Sequence, residues 1–211
     1  MARTPDKDDS LQTLIQRLDA TIEKPSSRIV AFISARPGEG TSTIARDYAL
    51  ALADMGEQEI LLIDAGKVDK DFFAMHGADP ANALADVVAA GKNVHDALYA
   101  LAPHLRLGRW AKPGRGRGAI NKLMKNDKFW TGLREHFGTV VIDAPSLLDS
   151  ADGVALAARA DAAVIVVEAE ATRAPVIEHL RDALNLADAK IAGIVMNKRR
   201  YYIPTGVYQR I

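Results

Sequence analysis

Five short runs of almost unbroken apolar residues, each separated from the next by a stretch of helical period, constrain this fold more than any other feature. They lie at residues 28–34 (RIVAFIS), 59–64 (EILLID), 139–144 (TVVIDA), 162–169 (AAVIVVEA) and 190–197 (KIAGIVMN). A strand that is apolar at every position, rather than at alternate ones, is buried on both faces. The predicted class is therefore α/β, a three-layer α/β/α domain around a mostly parallel central sheet. A sixth, shorter strand is predicted at 105–110. Helices are predicted at 43–53, 83–90, 126–136, 150–160 and 174–187, with a helical turn or so at 94–101. Leu11, Leu14, Ile15, Leu18 and Ile22 mark an amphipathic lead-in helix, stopped at Pro25, after a polar arm at 1–9. The expected division is 1–25 for arm and lead-in helix, 26–200 for the domain and 201–211 for a tail containing tyrosines.

Composition narrows the chemistry. The 27 basic residues equal the 27 acidic ones, so no overall field holds a nucleic acid, and no nucleic-acid partner is expected. The absence of cysteine excludes a disulfide scaffold, a thiolate metal site and a cysteine nucleophile. No window approaches the ~18 consecutive apolar residues of a membrane span, and the first residues have no apolar leader segment. The chain is expected to be neither exported nor membrane-spanning. The five histidines show no metal-ligand spacing, and no serine–histidine–acid set stands out.

In parallel sheets, ligands sit at the carboxyl ends of the strands. The first strand runs into ARPGEGTST (35–43) and then a helix, the place for a phosphate loop. Glycines at 38 and 40 let the backbone curl so that amide N–H groups and the helix N-terminus face an anion. The nucleotide-binding candidates are Arg36, Pro37, Gly38, Glu39, Gly40, Thr41, Ser42 and Thr43. The usual G-x-x-x-x-G-K-[ST] pattern is broken at Ala35 and, more consequentially, at Thr41, where the lysine should be. Asp64 and Asp143 end two of the apolar strands, where a carboxylate either serves the site or bonds neighbouring amides. Arg109, Lys112, Arg115 and Arg117 surround a glycine-rich stretch and are expected to form a solvated basic loop.

The segments SARPGEGTSTIARDYALALA, LLIDAGKVDKD, VVIDAPSLLDSADGVALAARADAAVIVVEAEATR and GIVMNKRRYY follow one another in this order. With them the chain resembles, over roughly residues 25–205, the bacterial tyrosine kinase and polysaccharide co-polymerase ATPase family. That family belongs to the MinD/ParA-like deviant P-loop NTPases. The resemblance implies ATP or ADP with Mg2+, held by Ser42 and by Asp143, the latter through water. It implies that Asp64 is the first acid of a catalytic second motif whose partner position is Gly66 here. Asp152 falls where the family has an aspartate after the Asp143 loop, and Asn197 falls where related ATPases contact the base. Tyr201, Tyr202 and Tyr208 fall where family kinases carry an autophosphorylated cluster. The implied partner is the cytoplasmic end of a membrane polysaccharide co-polymerase, which would hold the chain peripherally at the inner membrane. Self-association is left open, since Asp9, Gln12 and Ile15 replace the E-x-x-R-x-x-R pattern of ring-forming kinases.

Thr41 decides between two functional expectations. A neutral side chain cannot meet the charge that develops on a transferred phosphoryl group, so nucleotide binding and turnover are expected to be weakened. The first expectation is a cytoplasmic regulator or scaffold of exopolysaccharide or capsule synthesis and export, a pseudokinase with weakened or lost ATPase activity. The alternative is an active Mg-ATP-dependent tyrosine autokinase in which Asp64 is the base and Arg36 replaces the lost charge.

Overall fold

The computed structural model describes residues 7–22, 27–67, 69–79, 81–112 and 117–198. Among these, seven strands form one sheet: β1 (Arg28–Ser34), β2 (Ile60–Asp64), β3 (Leu98–Ala102), β4 (Leu105–Arg109), β5 (Thr139–Asp143), β6 (Ala162–Glu168) and β7 (Ile191–Asn197). Their order is β3-β4-β2-β5-β1-β6-β7. Every pairing is parallel except β3 with β4. The helices are α1 (Lys7–Thr21), α2 (Thr41–Asp54), α3 (Lys70–Met75), α4 (Leu84–Ala89), α5 (Arg117–Met124), α6 (Asp127–His136), α7 (Asp152–Ala157) and α8 (Ala174–Leu186), with a 3-10 turn at Val94–Ala97.

The apolar runs sort onto two faces with the period of two that a strand imposes. From β1, Ile29, Ala31 and Ile33 pack with Leu84, Trp130, Leu156 and Leu180 of the helices on one side. Val30 and Phe32 pack with Ile15, Leu18, Tyr48 and Phe73 on the other. The same alternation divides Leu61 and Ile63 from Ile60 and Leu62 on β2. Each such side chain, removed from water, contributes about 1.5–3 kcal/mol before the ordering entropy is counted. The double burial explains why the middles of β1, β2 and β5 are apolar, their polar residues (Arg28, Ser34, Asp64, Thr139 and Asp143) falling at the strand ends.

Three expectations need correction, and one helix, α3, lies where the sequence pattern places no element. Residues 98–102 (LYALA) are a strand rather than the end of a helical turn. Their alanines and leucines suit a helix, yet pairing with β4 satisfies the edge backbone there. Helix α3 forms although its six residues are too few to show a period; Asp69 caps it by accepting from the Phe72 N–H at 3.0 Å. Helix α5 starts inside the stretch expected to be irregular, at Arg117. The lead-in helix begins at Lys7, so the polar arm is shorter than 1–9. Tyr201, Tyr202, Tyr208 and Arg115 lie outside the described residues. No helix among the described residues is long and apolar enough to cross a membrane.

Candidate phosphate-loop site

The loop between β1 and α2 has the backbone that a phosphate cradle requires. Gly38 (φ 86°) and Gly40 (φ 93°) both lie in the left-handed region, which a side chain at either position would strain. A Cβ at Gly40 would also stand 2.0 Å from Asn197 Nδ2. Gly40 is the residue before α2 and has no side chain with which to cap it. The first N–H groups of a helix lack intrahelical partners, so this end is open to an anion.

The loop's other residues hold that shape. Buried Glu39 accepts from the Arg36 N–H at 3.0 Å and from the Thr172 hydroxyl. Ser34 Oγ donates to the Arg36 carbonyl at 3.0 Å. The segment after β5 ties in too, with Leu147 N–H on Ser34 O at 3.0 Å and Leu148 N–H on Ala35 O at 3.2 Å. Pro37 and Thr43 are exposed, as is the Arg36 side chain. Thr41 is buried, and among the described residues its Oγ1 finds no hydrogen-bond partner. An unpartnered buried hydroxyl carries a desolvation cost of about 1–3 kcal/mol. The hydroxyl lies in the first turn of α2, beside the loop glycines.

Asp64 and Asp143 are register partners at the ends of adjacent strands β2 and β5. Ser42, in the first turn of α2, hydrogen-bonds Asp143. The Ala65 N–H donates to the Asp143 carbonyl at 2.9 Å, which fixes the turn after β2 against β5. Gly66 donates its N–H to Asp64 Oδ1 at 3.2 Å. A Cβ on Gly66 would meet the two carboxylates only at ordinary contact distance, 3.8 and 3.9 Å, so a side chain here is missing rather than excluded.

Two arginines complete this half of the site. Arg109 was expected on the surface of a basic loop, and the structure corrects this: it is 5% exposed. Its Nη1 meets Asp64 Oδ1 at 2.7 Å, and it also donates to the carbonyls of Asp64, Gly66 and Ala111 at 3.1, 2.7 and 3.2 Å. The reason is the register of β4 on β2, which places Arg109 opposite Asp64. Arg46, one turn beyond Ser42 on α2, lies with its guanidinium 3.6 Å from the Phe72 ring centre and 3.4 Å from Asp69 Oδ2. Its charge reaches both aspartates.

Burial pushes both carboxyls up, since a charge is poorly solvated there. On Asp64 the adjacent Arg109 charge opposes this. On Asp143 the negative Asp64 adds to it, and the Asp143 carboxyl is pushed up to about 7 despite the Ser42 hydrogen bond and the more distant arginines. The two carboxyls titrate as a coupled pair, each raising the cost of ionising the other. Asp64 Oδ2 is buried and has no partner among the described residues.

The remaining candidates fall around this centre. Asn197 ends β7 over the loop, its Nδ2 donating to the Glu39 carbonyl at 3.0 Å and its Oδ1 accepting from the Lys198 N–H at 2.8 Å. Asp152 lies in the first turn of α7, its N–H on Ser150 Oγ at 3.1 Å. Neither arginine could be found from motif spacing. A period-two pattern, Leu105, Leu107, Arg109, was the available signal for one of them, because a cation on an inward face needs an acid opposite.

A mostly parallel sheet with a glycine loop after its first strand and aspartates ending two adjacent strands defines a P-loop NTPase-like fold. Within it, the chain belongs to the family of cellulose biosynthesis protein BcsQ, whose profile matches residues 27–188. The succinoglycan biosynthesis transport protein ExoP of Rhizobium meliloti (strain 1021) is 28% identical over 85% of this chain, which spans only 23% of that protein. The tyrosine-protein kinase CpsD of Streptococcus agalactiae is 26% identical, over 82% of this chain and 76% of its own. Among solved structures, the kinase domain of the Escherichia coli tyrosine kinase ETK superposes with a TM-score of 0.78 at 16% identity, covering 97% of this chain and 86% of that one. The septum site-determining protein MinD of Pyrococcus horikoshii OT3, complexed with Mg-ADP, gives 0.64 at 22% identity, covering 87% and 76%. These two curated relatives are thus named as a succinoglycan biosynthesis transport protein and a tyrosine-protein kinase.

Proposed function

We propose that this chain is a nucleotide-responsive regulator or scaffold of polysaccharide assembly, cellulose being the polymer its family name suggests, with weakened or lost phosphoryl transfer. One observation carries the reading: a buried Arg109–Asp64 ion pair engages one oxygen of the carboxylate that would orient an attacking group, in a chain whose loop has Thr41 for lysine. The loop backbone has the shape of a phosphate cradle, and its hydroxyl, carboxylate and amide donor set suits a magnesium nucleotide. Ser42 and Asp143 would hold Mg2+, and amides of residues 38–43 would hold the phosphates. Bound magnesium would supply Lewis-acid stabilisation of phosphate charge. Because burial raises the pKa of Asp143, metal binding there would be coupled to proton release and would strengthen as pH rises.

Nucleotide occupancy would then favour one conformation through its differential affinity. The conformation would be read by the cytoplasmic end of a membrane polysaccharide co-polymerase, holding the chain peripherally at the inner membrane. Support for this partner is the resemblance to ExoP, named a transport protein, of which this chain corresponds to a part. The second reading, an active tyrosine autokinase with Asp64 as base, is favoured by the intact Ser42–Asp143 pair. Incubation with Mg-ATP followed by mass spectrometry separates the two. The regulator reading expects no phosphate on Tyr201, Tyr202 or Tyr208. Phosphotyrosine there, lost in Asp143→Asn, would establish the kinase instead.

A further inference from the structure

The loop lacks its own lysine, yet a lysine from elsewhere touches it. Lys198 follows β7 with a left-handed backbone (φ 56°), an uncommon conformation for a residue with a long side chain. Its Nζ donates to the Gly38 carbonyl at 2.6 Å and to Glu168 Oε2 at 3.1 Å. Its N–H donates to Asn197 Oδ1, while Asn197 Nδ2 donates to the Glu39 carbonyl. Two consecutive residues at the end of the last described strand are therefore clipped onto the phosphate loop.

The two other cations beside the carboxylates are committed elsewhere. Arg109 is buried on Asp64, and Arg46 is held over Phe72 and Asp69. The Arg36 side chain is exposed, and its backbone is what serves the loop. Lys198 and Glu168 are 47% and 34% exposed, and an ion pair that open to water holds its lysine weakly. A carbonyl is also a poorer counter-group for an ammonium than a phosphate oxygen, whose full charge strengthens the bond. The buried, unpartnered Thr41 hydroxyl points independently to a ligand in the same cradle.

We propose that Lys198 supplies, from the end of β7, the positive charge that Thr41 cannot, binding the terminal phosphates of a nucleoside di- or triphosphate seated on the loop. The proposal rests on the nucleotide-binding reading above. Lys198 is here a binding residue, and the left-handed turn after Asn197 is what brings it to the loop.

The test is calorimetric titration of the full chain with AMP, ADP and ATP-γ-S in the presence of magnesium. Parent, Lys198→Met, Lys198→Arg, Arg36→Ala and Thr41→Lys are compared, with Lys198→Met also placed in the Thr41→Lys background. Thermal unfolding checks that each variant is folded. Lys198→Met should weaken ADP and ATP-γ-S by at least about tenfold while leaving AMP within about threefold, and Lys198→Arg should retain most of the affinity. In the Thr41→Lys background the same change should cost less than about threefold, the charge now being supplied twice. An unselective loss that includes AMP, or an equal loss in that background, would make Lys198 a structural clip and overturn the proposal. So would a selective loss in Arg36→Ala with none in Lys198→Met. Binding by Thr41→Lys but not by the parent overturns the role of Lys198 and leaves the cradle standing; binding by neither overturns both.

Discussion

The two halves of the proposed site depart from the phosphate-loop pattern in opposite directions. On the loop side, Thr41 leaves a fully shaped cradle short of one cation. On the carboxylate side, Gly66 leaves the second acidic motif short of one anion, and Arg109 adds a cation that fills the place beside Asp64. The difference teaches that shape and charge are separable here. Backbone geometry on the loop is fixed by glycines, Glu39 and Asn197, none of which depends on the lysine. The carboxylates, by contrast, are buried and adjacent, so the charge of each and that of Arg109 bear directly on how readily the other ionises.

The sharpest way to break this comparison is to remove the arginine. Arg109→Met leaves Asp64 buried and unpaired, and should cost about 3–5 kcal/mol of stability at pH 7 by urea unfolding. The loss should be smaller at pH 5, where Asp64, already pushed up by burial, can take a proton. Asp64→Leu in the same chain should restore most of it. A cost under about 1 kcal/mol for Arg109→Met would mean that the pair is not a structural element.

Asp143 gives the next largest effect, and its sign is set by the direction of the shift. The unfolded chain ionises this carboxyl near 3.8 and the folded chain near 7, so the folded state holds the extra proton between them. Stability is therefore fullest below about pH 4 and declines by up to ~4 kcal/mol as pH rises through about 7. Asp143→Asn should flatten this decline and exceed the parent in stability at pH 8. An unchanged slope between pH 4 and 8 would place the proton elsewhere.

On the loop side the expected effects are smaller. Gly40→Ala meets both a left-handed backbone and Asn197, and should cost about 1–3 kcal/mol. It should also weaken any anion binding, because the Asn197 clip must move. Thr41→Val removes a buried hydroxyl that has no partner and should be neutral or stabilising by about 1 kcal/mol. If Thr41→Val were clearly destabilising, the hydroxyl would have a partner and the cradle would be less open than described.

Much of this architecture can be read directly from the chain. Strands buried on both faces are continuous apolar words, so residues 28–34 and their four companions were legible to within a residue or two. The edge strand β3 was not, because LYALA is exposed to the competing helical preference of alanine and leucine and is settled only by pairing with β4. The positions of Asp64 and Asp143 followed from their strand ends. Arg109 and Lys198 did not, since each acts on a segment more than 40 residues away through register or a left-handed turn. A glycine-rich basic stretch next to Arg109 disguised a buried cation as a surface one.

The central claim is that the cradle survives while Arg109 and the missing acid stop the chemistry. It is tested most directly by mixing Thr41→Lys with a substoichiometric amount of radiolabelled Mg-ATP and separating bound, hydrolysed and protein-linked phosphate. The account predicts that ATP is retained by the variant and that inorganic phosphate and phosphotyrosine stay at background over many minutes. Rapid turnover by Thr41→Lys with Arg109 still in place would contradict it, since the loop lysine alone would then have been the missing part.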